Sequence, residues 1–121
     1  MDNQTTEQLE EAEQRQIVKQ LQESIKLGES LQELKKNKHF KKVFLEVFMD
    51  MGKNILWENV RHLKEEQLKG RGSDKNLEVL ALIEGQIKTR LDFEGFMDTV
   101  ENDANNAIES LIEINAEVEG A

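Results

Sequence analysis

The stretch LQELKKNKHFKKVFLEVFMDM, residues 31–51, changes from basic to apolar near its midpoint. Five lysines and His39 lie within residues 35–42, and three of the five phenylalanines follow within residues 40–48. The stretch has two interpretations, a basic surface that grips nucleic acid or a joint between two helices. We favour the joint, because lysines suit the C-terminal end of a helix and Asn37 is a residue type that caps the start of the next one.

The residues after Asn37 form the most apolar part of the chain, and their helical spacing predicts a helix over about residues 38–69. We expect the core of a helical hairpin to consist of Phe40, Phe44, Val47, Phe48, Met51 and Ile55. This apolar stripe is broadened by Val43, Leu56, Val60 and Leu63. Gly52 within it indicates close packing or a kink, because glycine inside a helix is unfavourable by about 1 kcal/mol relative to alanine.

A glycine-rich loop over residues 70–73 separates this helix from a third one over about residues 74–118. The two glycines end one helix, and Ser73 or Asp74 can cap the next. We expect these two helices to pair as an antiparallel hairpin. Later in the third helix, small and apolar residues recur at alternating steps of three and four, which is typical of a coiled coil. We predict that this seam mediates oligomerisation through Met97, Val100, Ala104, Ala107, Leu111, Ile114 and Val118.

The N-terminal part predicts a first helix over about residues 6–35, which Thr5 and Gln8 can start as a capping box. Residues 1–15 are polar and lack an apolar stripe, so we expect a flexible N-terminus followed by a single helical domain over residues 16–121. The predicted fold class is all-α. It is an elongated hairpin or bundle of three helices with a long C-terminal helix of coiled-coil type.

Composition excludes several classes of protein. The chain has no cysteine, which removes disulfides and thiolate chemistry, and His39 and His62 have no second ligand at metal-binding spacing. No apolar run reaches the roughly 20 residues of a membrane span. No nucleophile–base set or phosphate-binding motif is present. The sequence therefore predicts a non-enzymatic protein with no cofactor, no metal and no membrane contact.

Charge indicates how such a chain meets its partners. Only 37% of the residues are hydrophobic and 34% are charged, so the helices of one chain can bury little apolar surface among themselves. We therefore expect them to associate with copies of the chain or with a partner. The net charge of −9 lies in residues 91–121, which hold nine acidic side chains and no basic one, and phosphates would be repelled there. We expect the basic cluster to supply docking charges, namely Lys35, Lys36, Lys38, Lys41 and Lys42.

The order of these features resembles a group of small helical proteins of tailed bacteriophages. In that pattern a leucine and an asparagine precede a phenylalanine–lysine pair, matched here by Leu34, Asn37, Phe40 and Lys41. A later glutamine–apolar segment and an alanine-rich acidic tail helix are matched by Gln86, Ile87, Leu91, Ala104, Ala107 and Ile108. The resemblance covers residues 31–118, with His39 where the family usually has proline or aspartate. It implies a phage origin and a role in particle assembly.

Three hypotheses follow. The first is a phage structural or assembly protein that forms homo-oligomers and docks on capsid, portal or tail components, in the host cytoplasm during assembly and in the virion. The second is a small acidic phage-encoded inhibitor or regulator of a host enzyme that handles nucleic acid. The third, a nucleic-acid-binding hairpin that uses the basic cluster, ranks last because the net charge is negative.

Overall fold

The computed structural model describes the backbone of residues 2–120 and the side chains of residues 6–118. Within these residues four α-helices and one π-helix follow one another: α1 (Asp2–Lys36), α2 (Lys38–Phe40), π1 (Lys41–Met51), α3 (Gly52–Leu68) and α4 (Asp74–Gly120). Since α2, π1 and α3 are continuous, the chain consists of three helical segments. The predicted all-α fold class and the long C-terminal helix are confirmed.

The chain divides into two compact units. The paired-helix unit consists of Met1–Glu33 and Met97–Ala121, and the hairpin unit consists of Leu34–Phe96. The single domain predicted over residues 16–121 stays a prediction.

Helix α1 begins at Asp2, so helical backbone covers most of the segment 1–15 for which flexibility was predicted. Two limits of the predicted domains, Met1 and Ala121, lie outside the described residues. The side chain of Thr5, predicted to form the capping box, lies outside them as well.

The joint between the first two helical segments lies at Asn37. This residue leaves the helical conformation, with φ −65° and ψ 123°. Its side-chain Oδ1 accepts hydrogen bonds from the backbone N–H groups of His39 and Phe40, both at 3.0 Å. These two N–H groups have no partner inside the new helix, so the asparagine satisfies them. The cap and the helix boundary predicted at Asn37 are confirmed.

The apolar segment after the joint winds as a π-helix, and this corrects part of the predicted core. Three of the predicted core residues are half-buried, namely Phe40, Phe44 and Phe48. The other three are 44%, 53% and 57% exposed, namely Val47, Met51 and Ile55. Hydrogen bonds in a π-helix join residues i and i+5, so each turn holds more residues and α-helical spacing does not follow one face. The buried face passes instead through Met49 and Val60, which are 2% and 3% exposed.

In the hairpin unit, α4 packs antiparallel to π1 and α3. The Phe44 ring meets the Phe93 ring at 5.6 Å between centroids. Farther along, Lys64 Nζ lies 3.9 Å from Glu84 Oε1. From the first contact to the second, the residue number rises along π1 and α3 and falls along α4, so the helices run antiparallel. The α4 side contributes Ile87 to the core, with 3% of its surface exposed. The predicted antiparallel hairpin is confirmed.

A short loop joins α3 to α4. Gly70 has φ 72°, a conformation that favours glycine and ends α3. The next N–H group, on Arg71, donates to the carbonyl of Glu66 at 2.9 Å. Ser73 Oγ accepts a hydrogen bond from the backbone N–H of Asn76 at 3.2 Å and thereby caps α4. The predicted loop over residues 70–73 lies between α3 and α4. Of the two residues predicted as caps, Ser73 and Asp74, the hydrogen bond assigns this role to Ser73.

In the paired-helix unit, α1 packs against the C-terminal part of α4. A Cβ atom placed on Gly28 would overlap the Cβ atom of Ala104, so the two backbones approach closely. One turn further along α1, Gln32 Nε2 donates to Glu101 Oε1 at 3.3 Å. Glycine and alanine are the residue types that permit such an approach, because they carry little or no side chain. None of the helices in the described part of the chain has the length and apolar composition of a membrane-spanning segment.

Candidate interaction surface

The seam predicted to form an oligomer interface is largely used inside the paired-helix unit. Its central residues are 6%, 7% and 2% exposed, namely Val100, Ala104 and Ala107. Three flanking residues are half-buried, namely Met97, Leu111 and Ile114. At its end, Val118 is 67% exposed. The coiled-coil spacing therefore describes packing against α1 of the same chain, and contact with another chain through the seam stays a prediction.

The basic cluster lies at the joint, in the hairpin unit. Lys35 is half-buried, and the other four lysines are exposed. Lys42 Nζ lies 3.3 Å from Glu46 Oε2 one helical turn away, and both side chains are largely exposed. Such a pair contributes only about 0.3–0.5 kcal/mol to stability. The cluster is thus a solvent-facing basic patch beside the Asn37 cap.

The division into units separates the charges of the chain more sharply than the sequence order does. The paired-helix unit holds 15 acidic and 3 basic side chains, a net charge of −12. The hairpin unit holds 10 acidic and 13 basic side chains, a net charge of +3. A basic partner would therefore be attracted to the first unit, and an acidic one to the second.

Four of the five phenylalanines form one cluster in the hairpin unit. The rings of Phe40, Phe44 and Phe48 stack in series, with centroids 5.0 and 5.3 Å apart. Phe93 of α4 meets Phe44 and Phe48 edge-on, at 5.6 and 6.5 Å. Aromatic pairs in these geometries contribute about 0.5–1.5 kcal/mol beyond the area they bury. The cluster fixes π1 against α4.

Arg90 closes this cluster from α4. Its guanidinium carbon lies 4.0 Å from the centre of the Phe48 ring, a cation–π contact. Its Nε donates to the Phe48 carbonyl at 2.9 Å, and its Nη1 donates to the Gln86 carbonyl at 3.1 Å. The planar guanidinium makes both contacts at once, which a lysine ammonium cannot.

Next to the cluster, π1 and α3 carry a row of uncharged residues that packing does not cover. The row repeats at steps of three or four and is exposed throughout, at Val43, Val47, Met51, Ile55, Asn59 and His62. Its four apolar members are 66%, 44%, 53% and 57% exposed, in chain order. The residues predicted as hairpin core but found exposed belong to this first row.

Helix α4 carries a second row of the same kind. Uncharged residues recur at alternating steps of three and four and are exposed throughout, at Val79, Leu82, Gln86, Thr89, Phe93 and Phe96. The apolar members are 38%, 69%, 43% and 62% exposed, in chain order. Near its C-terminal end the row borders a shallow depression of about 380 Å³, lined by Thr89, Asp92, Phe93 and Phe96.

Contacts between the helices define two sides of the hairpin. On one side Phe93 and Arg90 of α4 contact the Phe48 ring. On the other side Lys64 pairs with Glu84. Phe93 belongs to the second row and Phe48 adjoins the first, and helical geometry places both rows on the Phe93 side. We name the surface formed by the two rows the neutral face.

Sequence reasoning missed Met49, Arg90 and Phe93. Met49 lies outside the α-helical stripe, and nothing in its spacing signals a π-helix. The signal for Phe93 was available, because the steps of three and four from Val79 to Phe96 are as regular as those of the seam. Among the side chains of residues 6–118, no group of three or more histidines, aspartates or glutamates could hold a metal ion.

Comparison of the chain with protein-family models, with curated proteins and with solved structures gives no match. The surface geometry, the charges and the motif pattern of the sequence are therefore the basis for assigning a function.

Proposed function

We propose that the chain is a non-enzymatic structural or assembly protein of a tailed bacteriophage. It self-associates through helices and docks on capsid, portal or tail components, in the host cytoplasm during assembly and in the virion. The observation that carries this proposal is the neutral face. It supports a role in binding other proteins.

The size and character of the neutral face favour a protein partner. Eight apolar side chains on it are between 38% and 69% exposed. Contiguous apolar patches on monomeric proteins seldom exceed a few hundred Å², and larger ones mark interaction sites. The face is two helices wide, and the depression beside Phe96 is open and shallow, so a helix or helical hairpin fits it better than a small ligand enclosed on all sides.

The phage assignment is supported by the sequence pattern. The asparagine of the pattern is the Asn37 cap, and its phenylalanine is the first ring of the aromatic cluster, Phe40. Both residues have structural roles in the hairpin unit, so chains that share the pattern are expected to form the same helix start and the same aromatic packing. The basic cluster beside them supplies charge for orienting a docking partner, since surface charge acts mainly on association rate and specificity.

Mass spectrometry of density-gradient fractions from phage-infected cells tests the proposed function. We expect the chain to sediment with mature particles or with precursor particles, in a fixed ratio to a capsid, portal or tail protein. Its presence only in precursors would make it a scaffold or chaperone. Absence from every particle fraction, while the chain is abundant in the soluble fraction, would contradict the proposal.

The separation of charge favours a second candidate, a small acidic inhibitor or regulator of a host enzyme that handles nucleic acid. A unit with net charge −12 matches the basic grooves of such enzymes. This candidate predicts capture of a host nucleic-acid enzyme that weakens steeply as salt is raised. Salt-insensitive capture, or no capture, would count against it.

A further inference from the structure

The neutral face exposes an apolar area comparable to that which one partner buries in a protein–protein interface. The exposed fractions of its eight apolar side chains correspond to roughly 800 Å² of accessible surface, about the area that each partner buries in an interface of standard size. Three of these side chains are 62% or more exposed, namely Val43, Leu82 and Phe96. Leaving this area in water opposes folding of the isolated hairpin unit, and covering it removes that penalty.

The chemistry of the face narrows what can cover it. The twelve residues of the two rows are uncharged, in a chain of which 34% is charged. The charges nearest to them are Asp92, which lines the depression beside Phe96, and Arg90, which stacks on Phe48. A strongly charged partner surface would lose hydration over the rows with little counter-charge in return, so we expect the covering surface to be mostly neutral and apolar.

A second copy of the chain presents such a surface. The hairpin unit is only two helices thick, and two such hairpins stacked face to face form a four-helix bundle with a shared core. A twofold pairing places the same patch on both sides of the contact, so the two neutral faces meet each other. Steps of three and four along α4 supply the spacing that helix packing in bundles uses.

Charge sets the relative direction of the two copies. The basic cluster, with five lysines, lies at the joint end of the hairpin. Parallel stacking would bring two of these clusters together, and like charges facing each other oppose association. Antiparallel stacking separates them.

We infer that the neutral face is the interface of a twofold-symmetric homodimer, in which two hairpin units stack antiparallel as a four-helix bundle. This inference rests on the proposed function, because it names a second copy of the chain as the partner of the neutral face. The homodimer does not require any component of the phage particle.

Sedimentation equilibrium of the pure full-length chain tests the inference with a matched pair of leucines on α4. Leu82 belongs to the neutral face and is 69% exposed. Leu77 is 51% exposed and lies seven residues before Glu84, on the other side of the hairpin. We expect the wild type to sediment at twice the chain mass, Leu82→Asp to weaken association about tenfold or more, and Leu77→Asp to leave it unchanged.

Both leucines are exposed, so helicity should survive either change, and circular dichroism checks this. If Leu82→Asp loses helicity, Met51→Asp in the first row replaces it. A monomeric wild type, or equal weakening by the two leucine variants, would overturn the inference. Either result concerns only self-association of pure protein, and the particle fractions would still decide the proposed function separately.

Discussion

Gly28 of α1 and Ala104 of α4 are packed so closely that a methyl group on the glycine would overlap the alanine Cβ atom. The overlap involves a short, rigid side chain, so the helices would have to separate to relieve it. The seam around Ala104 therefore depends on α1 having a glycine at this point.

Gly28→Ala should lower the free energy of unfolding by about 1 kcal/mol, because overpacking costs about 1–3 kcal/mol and the gain in helix propensity is only about 1 kcal/mol. The control is Gly95→Ala, where a Cβ atom meets nothing within 4 Å. That change should raise stability by up to about 1 kcal/mol. Urea denaturation at one fixed protein concentration measures both. If Gly28→Ala is stabilising, the close contact is absent.

Asn37→Ala should destabilise the chain by about 1 kcal/mol, because the two N–H groups that the side chain satisfies lose their acceptor. Asn37→Asp should keep most of the stability, since aspartate caps a helix about as well as asparagine. Thermal denaturation followed by circular dichroism compares the two variants. Equal melting temperatures for Asn37→Ala and Asn37→Asp would show that the cap contributes nothing.

Arg90→Lys should destabilise the hairpin unit by about 1–2 kcal/mol, because lysine cannot stack on Phe48 while donating to both carbonyls. The matched control is Lys88→Met, which removes an exposed ion pair with Asp92 on the same helix. Its effect should stay within about 0.5 kcal/mol. Denaturant unfolding of both variants separates the outcomes, and a similar loss from the two would contradict the role given to Arg90.

Val100→Asp should destabilise the paired-helix unit by about 3 kcal/mol or more, because it places a charge on a side chain that is 6% exposed. Ile112→Asp lies in the same helix at 62% exposure and should change stability by less than about 0.5 kcal/mol. Helicity and melting temperature report the difference. If a Val100→Asp variant kept native stability and only dissociated an oligomer, the seam would be an interface between chains and not the packing surface for α1.

Much of the fold could be predicted from the sequence because its signals are local. The Asn37 cap, the Gly70 turn and the Ser73 cap each depend on the chemistry of one residue and its neighbours. The long C-terminal helix follows from uninterrupted helical spacing without proline.

The residues that sequence reasoning misplaced depend on non-local or unusual geometry. The π-helix over Lys41–Met51 changes the number of residues per turn, so a face extrapolated from α-helical spacing ends at exposed Ile55 and misses buried Met49. The seam has the spacing of a coiled coil whether its partner is α1 or another chain. The contacts of Gly28 with Ala104 and of Gln32 with Glu101 identify α1 as the partner.

The seam packs α1 against α4 within one chain, and we propose that the neutral face binds a second copy. Hydrogen–deuterium exchange at low and high protein concentration tests this, because a second copy covering a helix suppresses the local opening through which the amides of that helix exchange. We predict that residues 43–62 and 79–96 gain protection as concentration rises, while residues 97–118 are equally protected throughout. Protection that rises with concentration in residues 97–118, and not in the neutral face, would show that the copies meet through the seam instead.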